Sequence, residues 1–302
     1  MTKRPGQMFD PNDQVLHFGD VLSLSSRLDA FKPVERYFVS ACNKRQIFYT
    51  YDMSAEEFLY FTTLNYTTYA GLFIMHPHQT ELAMRQMFDA LRDQSIPRLD
   101  FSGYLKRSLE TGTANKYEMA GRPNTTPHKV VVVLPGSNRI ETHISLNKLK
   151  WIVKQHGQDV LFKPHPLTPP DIIECVIKDI GVPASQFADP NTDLYQIIKH
   201  ADIVYTSHLS ESAAYAALLG KKVDPIDEVR SRNNSSFTHI NYLFFTEDNH
   251  DEWVDTAFSS PKSGVVHPDI DKDWKGKIDQ YLDYILAMRD KFKTAYINEK
   301  QS

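Results

Sequence analysis

The strongest pattern along the chain is Lys129-Val130-Val131-Val132-Val133-Leu134, an unbroken β-branched run closed by Pro135-Gly136. Apolar residues without alternation predict a strand buried on both faces, as in a parallel sheet. Ile144, Leu146, Leu149, Ile152 and Val153 then recur at helical spacing as far as Gly157, which sits where a helix stops. The alternation repeats. A strand at Val160-Leu161-Phe162 precedes a helix from Pro169-Pro170-Asp171 to Ile180, with Gly181 behind it. A helix near Leu194 to His200 precedes a strand at Asp202-Ile203-Val204-Tyr205. A helix from Ser210 to Leu219, closed by Gly220, precedes a short strand around Val223. Strands and helices alternating at this spacing predict βαβ crossovers and a doubly wound parallel sheet.

The first half reads as a second α/β layer with shorter, aromatic-rich runs. Val15-Leu16-His17-Phe18, Tyr37-Phe38-Val39-Ser40, Ile47-Phe48-Tyr49-Thr50 and Leu72-Phe73-Ile74-Met75 are expected strands, with helices at Ser54 to Leu64 and Thr80 to Leu91. Residues 111 to 128 carry Gly112, Gly121, Pro123, Asn124 and Pro127 and read as a linker. A last helix from Trp274 to about Tyr296 places Ile278, Tyr281, Leu282, Ile285 and Met288 on one face, a stripe suited to packing across both domains.

Composition narrows the class. At 302 residues, 41% hydrophobic and 24% charged, the chain is an ordinary globular protein with enough length to bury two cores unaided. Cys42 and Cys175 share no C-x-x-C spacing, which argues against a zinc ribbon or a disulfide framework and for a reducing compartment. No apolar run approaches the roughly 18 to 20 residues of a membrane span, so a cytoplasmic location is expected. Net charge is −4, which excludes nucleic-acid binding by bulk charge alone. The halves differ, with 18 basic against 15 acidic residues in 1–150 and 16 against 23 in 151–302, which places any polyanionic partner on the first half or is surface composition alone.

Three loops at strand ends carry polar groups suited to a ligand at the carboxyl edge of the sheet. Pro135-Gly136-Ser137-Asn138-Arg139 offers close backbone approach at Gly136 and a guanidinium fork at Arg139, or reads as a plain turn with a surface arginine. Phe162-Lys163-Pro164-His165-Pro166 holds a cation and an imidazole on a proline-stiffened segment, or reads as a cis-proline turn with a solvated lysine. Thr206-Ser207-His208-Leu209-Ser210-Glu211-Ser212 groups hydroxyls and a histidine where a helix begins, and serves equally as an ordinary cap with Ser210 or Ser207 as N-cap.

Lys163-Pro164-His165-Pro166, then Ala201-Asp202-Ile203-Val204, Ser207, a small-residue helix and Leu219-Gly220-Lys221-Lys222-Val223 resemble the carboxyl-terminal domain of GT-B glycosyltransferases, especially the capsule-polysaccharide and sialyl-transfer type. The resemblance covers roughly residues 129 to 225. It implies an α/β protein of two Rossmann-like domains facing across a cleft, with an acceptor-binding domain at 1–118 and a nucleotide-sugar-binding domain at 119–302 that ends in a crossover helix. It implies a donor nucleotide sugar, a UDP-sugar foremost, held by Gly136, Ser137, Arg139, Lys163, His165, Ser207, His208, Ser210, Glu211 and Ser212, with no tightly bound cofactor. The family commonly has a ribose-gripping glutamate where this chain has Tyr215, and a proline where it has Lys222, so nucleoside recognition differs here.

His17-Phe18-Gly19-Asp20-Val21-Leu22 is similar to the first loop of heptosyltransferase-like GT-B enzymes, where the aspartate lies at the cleft. A carboxylate there can accept the proton of an acceptor hydroxyl, making Asp20 a candidate base, or it can cap the next helix. His17 and, from Met75-His76-Pro77-His78, His78 are the other catalytic candidates. The two histidines of that motif have no evident third ligand, and Asp269-Ile270-Asp271-Lys272-Asp273 reads as a solvated helix start, so no metal is expected.

The activity expected is sugar transfer from a nucleotide sugar to an acceptor hydroxyl. Residues 101–150 hold 8 basic and 3 acidic side chains, including Lys106, Arg107, Lys116 and Arg122, and favour double-stranded phage DNA carrying hydroxymethylated pyrimidines as acceptor. The alternatives are an enzyme building a cell-surface polysaccharide, a sugar-nucleotide epimerase, and a non-catalytic sugar-nucleotide or DNA-binding module.

Overall fold

The computed structural model describes residues 15–17, 32–46, 48–50, 70–71, 97–111, 127–136, 144–208, 210, 212–227, 245, 248–261, 265–284 and 286–287. The chain divides into two compact units, residues 1–104 with 251–302, and residues 105–250.

In the first unit β1 (Val15–His17) pairs in parallel with β2 (Phe48–Thr50), Val15 opposite Phe48, and helix α1 (Lys32–Lys44) lies between them in sequence. This is the connection a parallel pair requires, because a short hairpin cannot join parallel strands. The expected strand Tyr37–Ser40 is instead the middle of α1. The reason is periodicity: Val34, Phe38, Ala41 and Cys42 are buried at spacings of four, three and one, a helical stripe, and the aromatic cluster only imitated a strand. Burial pushes the Cys42 thiol up to about 12.

The first unit also contains β3 (Ala70–Gly71), which pairs antiparallel with a strand late in the chain. Helix α2 (Phe101–Glu110) starts in this unit; Ser102 donates from its backbone N–H and its Oγ to the Asp255 carboxylate at 2.7 and 2.9 Å.

The second unit is built on β4 (Val130–Val133), β5 (Val160–Lys163), β6 (Ile203–Thr206) and β7 (Lys222–Pro225), four parallel strands in the order β5-β4-β6-β7. Every residue of the inner strand β4 is buried, and so is every residue of edge strand β5, whose open side is covered by the Phe162–Phe187 bridge and the Ala188 N–H bond to the Phe162 carbonyl; the opposite edge strand β7 exposes Lys222 and buries Val223. One face of the sheet packs Val130, Val132, Phe162 and Tyr205 against Leu149 and Ile152 of α3 (Leu146–His156) and Val176 of α4 (Pro170–Ile180). The N-cap Ser145 accepts the Lys148 N–H at 3.3 Å, and Pro170 opens α4 where a missing N–H is harmless. Gly181 ends α4 with φ +70°, a left-handed cap that glycine adopts without strain. After α5 (Leu194–Ile198), helix α6 (Ser212–Leu218) buries Ala213, Ala214, Ala216 and Ala217 and packs on β6 and β7. The second-half elements thus match the hydrophobic pattern, with boundaries moved by one or two residues.

The chain returns to the first unit through α7 (His250–Ser259), β8 (Val265–Val266), the partner of β3, and α8 (274–284). Arg45 of α1 donates from Nη1 to Asp279 and from Nε to Asp283 of α8, both at 2.7 Å, and Tyr37 donates to Asp279 at 2.6 Å. The expected strand Leu72–Met75, the helices Ser54–Leu64 and Thr80–Leu91, most of the linker, and the last helix beyond residue 287 lie outside the described residues.

Candidate functional site

All four strands run the same way, so their carboxyl ends share one edge. The chain leaves β4 toward β5 on one side, then crosses back to place β6 on the other. At such a reversal the loops following the two strands diverge and leave a crevice outside the carboxyl edge, the site where open α/β sheets bind ligands. Here the reversal falls between β4 and β6, which are followed by Leu134-Pro135-Gly136 and by Ser207-His208.

The β4 and β5 loops are tied together. Leu134 N–H donates to the Lys163 carbonyl at 2.9 Å, and Thr168 Oγ1 donates to the Pro135 carbonyl at 3.4 Å. Thr168 N–H in turn donates to the His165 carbonyl at 2.9 Å, and Leu167 N–H donates to His165 Nδ1 at 3.1 Å. That second contact fixes the imidazole's orientation and marks Nδ1 as the acceptor nitrogen. No peptide bond among the described residues is cis, so the cis-proline reading of this loop does not hold.

Lys163 is not solvated. It is 3% exposed, and its ammonium donates to the carbonyls of Pro164 at 2.7 Å and Pro190 at 2.6 Å. Burial lowers its ordinary value of 10.5 to about 8, against the opposing pull of Asp189 and Asp193. Its observed work is to hold the segment after β5 against the 188–193 loop.

The loop after β6 is the densest polar group at this edge. Thr206 Oγ1 and Ser210 Oγ each lie 2.6 Å from Ser212 Oγ, and Ser210 Oγ accepts the Ser212 N–H at 3.3 Å, the capping contact expected of it. Ser207 Oγ donates to Asp227 Oδ2, while His208 donates its backbone N–H to Asp227 Oδ1 at 3.0 Å. His208 Nδ1 lies 2.9 Å from the same oxygen, and its ring sits 4.6 Å from that of Phe245. Because a carboxylate only accepts, Nδ1 carries the proton in this contact.

The structure therefore gathers Gly136, Lys163, His165, Ser207, His208, Ser210 and Ser212 on the loops that follow β4, β5 and β6. His17 is the last residue of β1 in the other unit. Asp20, His78, Ser137, Arg139 and Glu211 lie outside the described residues. Asp227 was missed in the sequence, although it follows the fourth strand at the edge where the first three were searched; Thr168 was missed because its hydroxyl acts on a loop 33 residues away. Among the described residues no group of three or more His, Cys, Asp or Glu side chains could hold a metal ion, and no helix is long and apolar enough to cross a membrane.

No protein-family model matches the chain, and no curated protein matches it at a significant level. Among solved structures it is similar to a Listeria monocytogenes protein assigned as a UDP-N-acetylglucosamine 2-epimerase, at 11% identity and a TM-score of 0.35, over 81% of this chain and 70% of that one.

Proposed function

We propose that the carboxyl edge of the four-stranded sheet binds a nucleotide sugar and that the protein transfers the sugar to an acceptor hydroxyl. The observation that supports this reading is the reversal between β4 and β6, from whose shared carboxyl edge the glycine loop and the hydroxyl-rich loop that starts at Ser207 both leave, with the His165 loop tied to the glycine loop through Thr168.

In this reading the hydroxyls of Ser210 and Ser212 and the imidazoles of His165 and His208 hold the diphosphate, joined by Ser137 and Arg139, with Gly136 allowing close approach; Ser207 supports the site through Asp227, and Glu211, whose carboxylate only accepts, meets a hydroxyl of the sugar nucleotide. Lys163 shapes the loop that presents His165. Residues 1–118 receive the acceptor and 119–302 the donor, with His17 and His78 as the other catalytic candidates. As the acceptor oxygen bonds to the anomeric carbon, the bond to the diphosphate breaks and its electron pair leaves with the nucleotide. Asp20 takes the hydroxyl proton. Neither the described residues nor the comparisons support a DNA acceptor or a phage context, so the reading stops at a hydroxyl.

The test is nucleotide release by the purified full chain from a panel of UDP-, CMP-, GDP- and ADP-sugars, alone and with saccharides or hydroxymethylated DNA. Release that depends on an acceptor is expected. Interconversion of a donor without acceptor would replace transfer by epimerisation, and absence of both binding and turnover across the panel would overturn the reading.

A further inference from the structure

Leu146, Trp151 and Leu167 are the exposed large apolar side chains among the described residues, at 38%, 45% and 60% exposure, and all three lie on one layer of the second unit. Leu146 and Trp151 belong to α3; Leu167 precedes α4, which packs against α3. We propose that the outer face of α3 docks on an anionic lipid bilayer, with Trp151 and Leu146 entering the headgroup region while Lys148, Lys150 and Lys154 meet the lipid phosphates. Such docking is independent of the ligand held at the carboxyl edge of the sheet.

Helical period sets the face. Leu149 and Ile152, both fully buried, turn α3 toward the sheet, so Asn147, Lys150, Trp151 and Lys154 fall on the opposite side, and all four are exposed. Lys148 flanks them, its ammonium 4.5 Å from the centre of the Trp151 ring. From Leu146 to His156 there is no acidic residue, and Lys150 and Lys154 stand four apart, where like charges repel. Among the described residues no ion pair compensates any of the three lysines. Neither the indole nor these charges serve the core, which α3 reaches through Leu149 and Ile152.

An indole has an apolar body and a polar N–H, and the headgroup boundary of a bilayer satisfies both at once. Lysine is suited to the same place, its methylenes lying along apolar surface while its ammonium reaches a phosphate. An anionic bilayer therefore matches the whole face: it covers Trp151 and Leu146 and relieves the repulsion along α3. A second copy of this chain fits badly, because a two-fold contact through this face would set lysines against lysines. The neighbouring α4 exposes Asp171, Glu174 and Asp179 beside Lys178, which confines the contact to α3 and makes it narrow and reversible.

Co-sedimentation of the full chain with lipid vesicles tests the face. Binding is expected to phosphatidylcholine vesicles that contain phosphatidylglycerol, with little to phosphatidylcholine alone, and it should weaken as salt rises. Trp151→Ala should lower the partition about tenfold or more, the effect of leaving the exposed part of the indole out of the interface. Lys150→Gln combined with Lys154→Gln should lower it about 25-fold, since each lysine near an anionic surface contributes about fivefold. All three positions are exposed, and either variant decides if the other does not fold. Absence of binding to the anionic vesicles, equal binding to both kinds, or undiminished binding by either folded variant would overturn the docking. Binding of polyglutamate or a single-stranded oligonucleotide, lost in the variants and without vesicle binding, would give the face to a soluble polyanion. Self-association lost in Trp151→Ala, again without vesicle binding, would give it to a second copy, and either result overturns the bilayer.

Discussion

Lys163 and Pro190, 27 residues apart in sequence, are joined by a 2.6 Å hydrogen bond from the buried ammonium to the proline carbonyl. A second bond, to the Pro164 carbonyl, leaves the lysine bridging the end of β5 and the 188–193 loop. The two polar residues of the Lys163-Pro164-His165 segment therefore divide their work, Lys163 bridging to the 188–193 loop and His165 accepting the Leu167 N–H within its own turn.

That division makes a contrast measurable. Lys163→Met should lower unfolding stability by about 1 to 3 kcal/mol, the cost of leaving buried carbonyls without their charged donor. His165→Ala, at a half-buried position, removes the acceptor of the Leu167 N–H and should cost less, about 0.5 to 1 kcal/mol, while weakening UDP-sugar binding. Equal urea midpoints for wild type and Lys163→Met would show that the bridge contributes nothing.

A second expectation separates helix from strand at residues 37–40. Ser40 is exposed within α1, so Ser40→Ala should raise stability by about 0.5 kcal/mol through helix propensity alone. Alanine is a poor strand residue, and a loss of stability in thermal or urea unfolding would return the segment to a β assignment.

Lys277 should give the first unit a pH dependence. It is 4% exposed, 3.9 Å from Asp271 Oδ2 and 5.2 Å from the centre of the Phe101 ring. Burial lowers it from 10.5 to about 7, against the pull of Asp271. Between those values the unfolded chain holds the proton that the folded chain has released, so stability rises with pH across the window and the penalty is full below it. Relative to Lys277→Met, the wild type should gain up to about 1.4 kcal/mol per pH unit between about 7 and 10. Urea midpoints that keep a constant difference between the two proteins over that range would contradict the assignment.

Asp20→Asn addresses the chemical step of the proposed transfer. Donor affinity should persist while turnover falls by about 10²-fold or more, the usual contribution of a positioned base. Near-normal turnover in the folded variant would make Asp20 a helix cap and move attention to His17 and His78.

The second unit was legible because its strands are buried on both faces, which writes continuous apolar runs into β4 and β5, and because Gly157, Gly181 and Gly220, all at positive φ, punctuate the helices. The first unit was harder. In α1 the run Tyr37-Phe38-Val39 mixes one core residue with half-exposed ones, so local hydrophobicity misled where the longer Val34, Phe38, Ala41 and Cys42 stripe would have decided. At the candidate site, the polar character of the strand-end loops could be read from residue types, but partners could not. That Lys163 turns onto Pro190, and that Asp227 draws Ser207 and His208 together, depends on side chains brought close only by the order β5-β4-β6-β7.

The central claim is that the reversal between β4 and β6 is where a nucleotide sugar binds. Backbone amide NMR of the full chain titrated with UDP-glucose tests it most directly. The account predicts saturable shifts concentrated at Gly136, His165, Ser207, His208 and Ser212, with the 97–111 and 250–259 segments largely unmoved. Saturable shifts centred elsewhere, with those five amides unchanged, would contradict it.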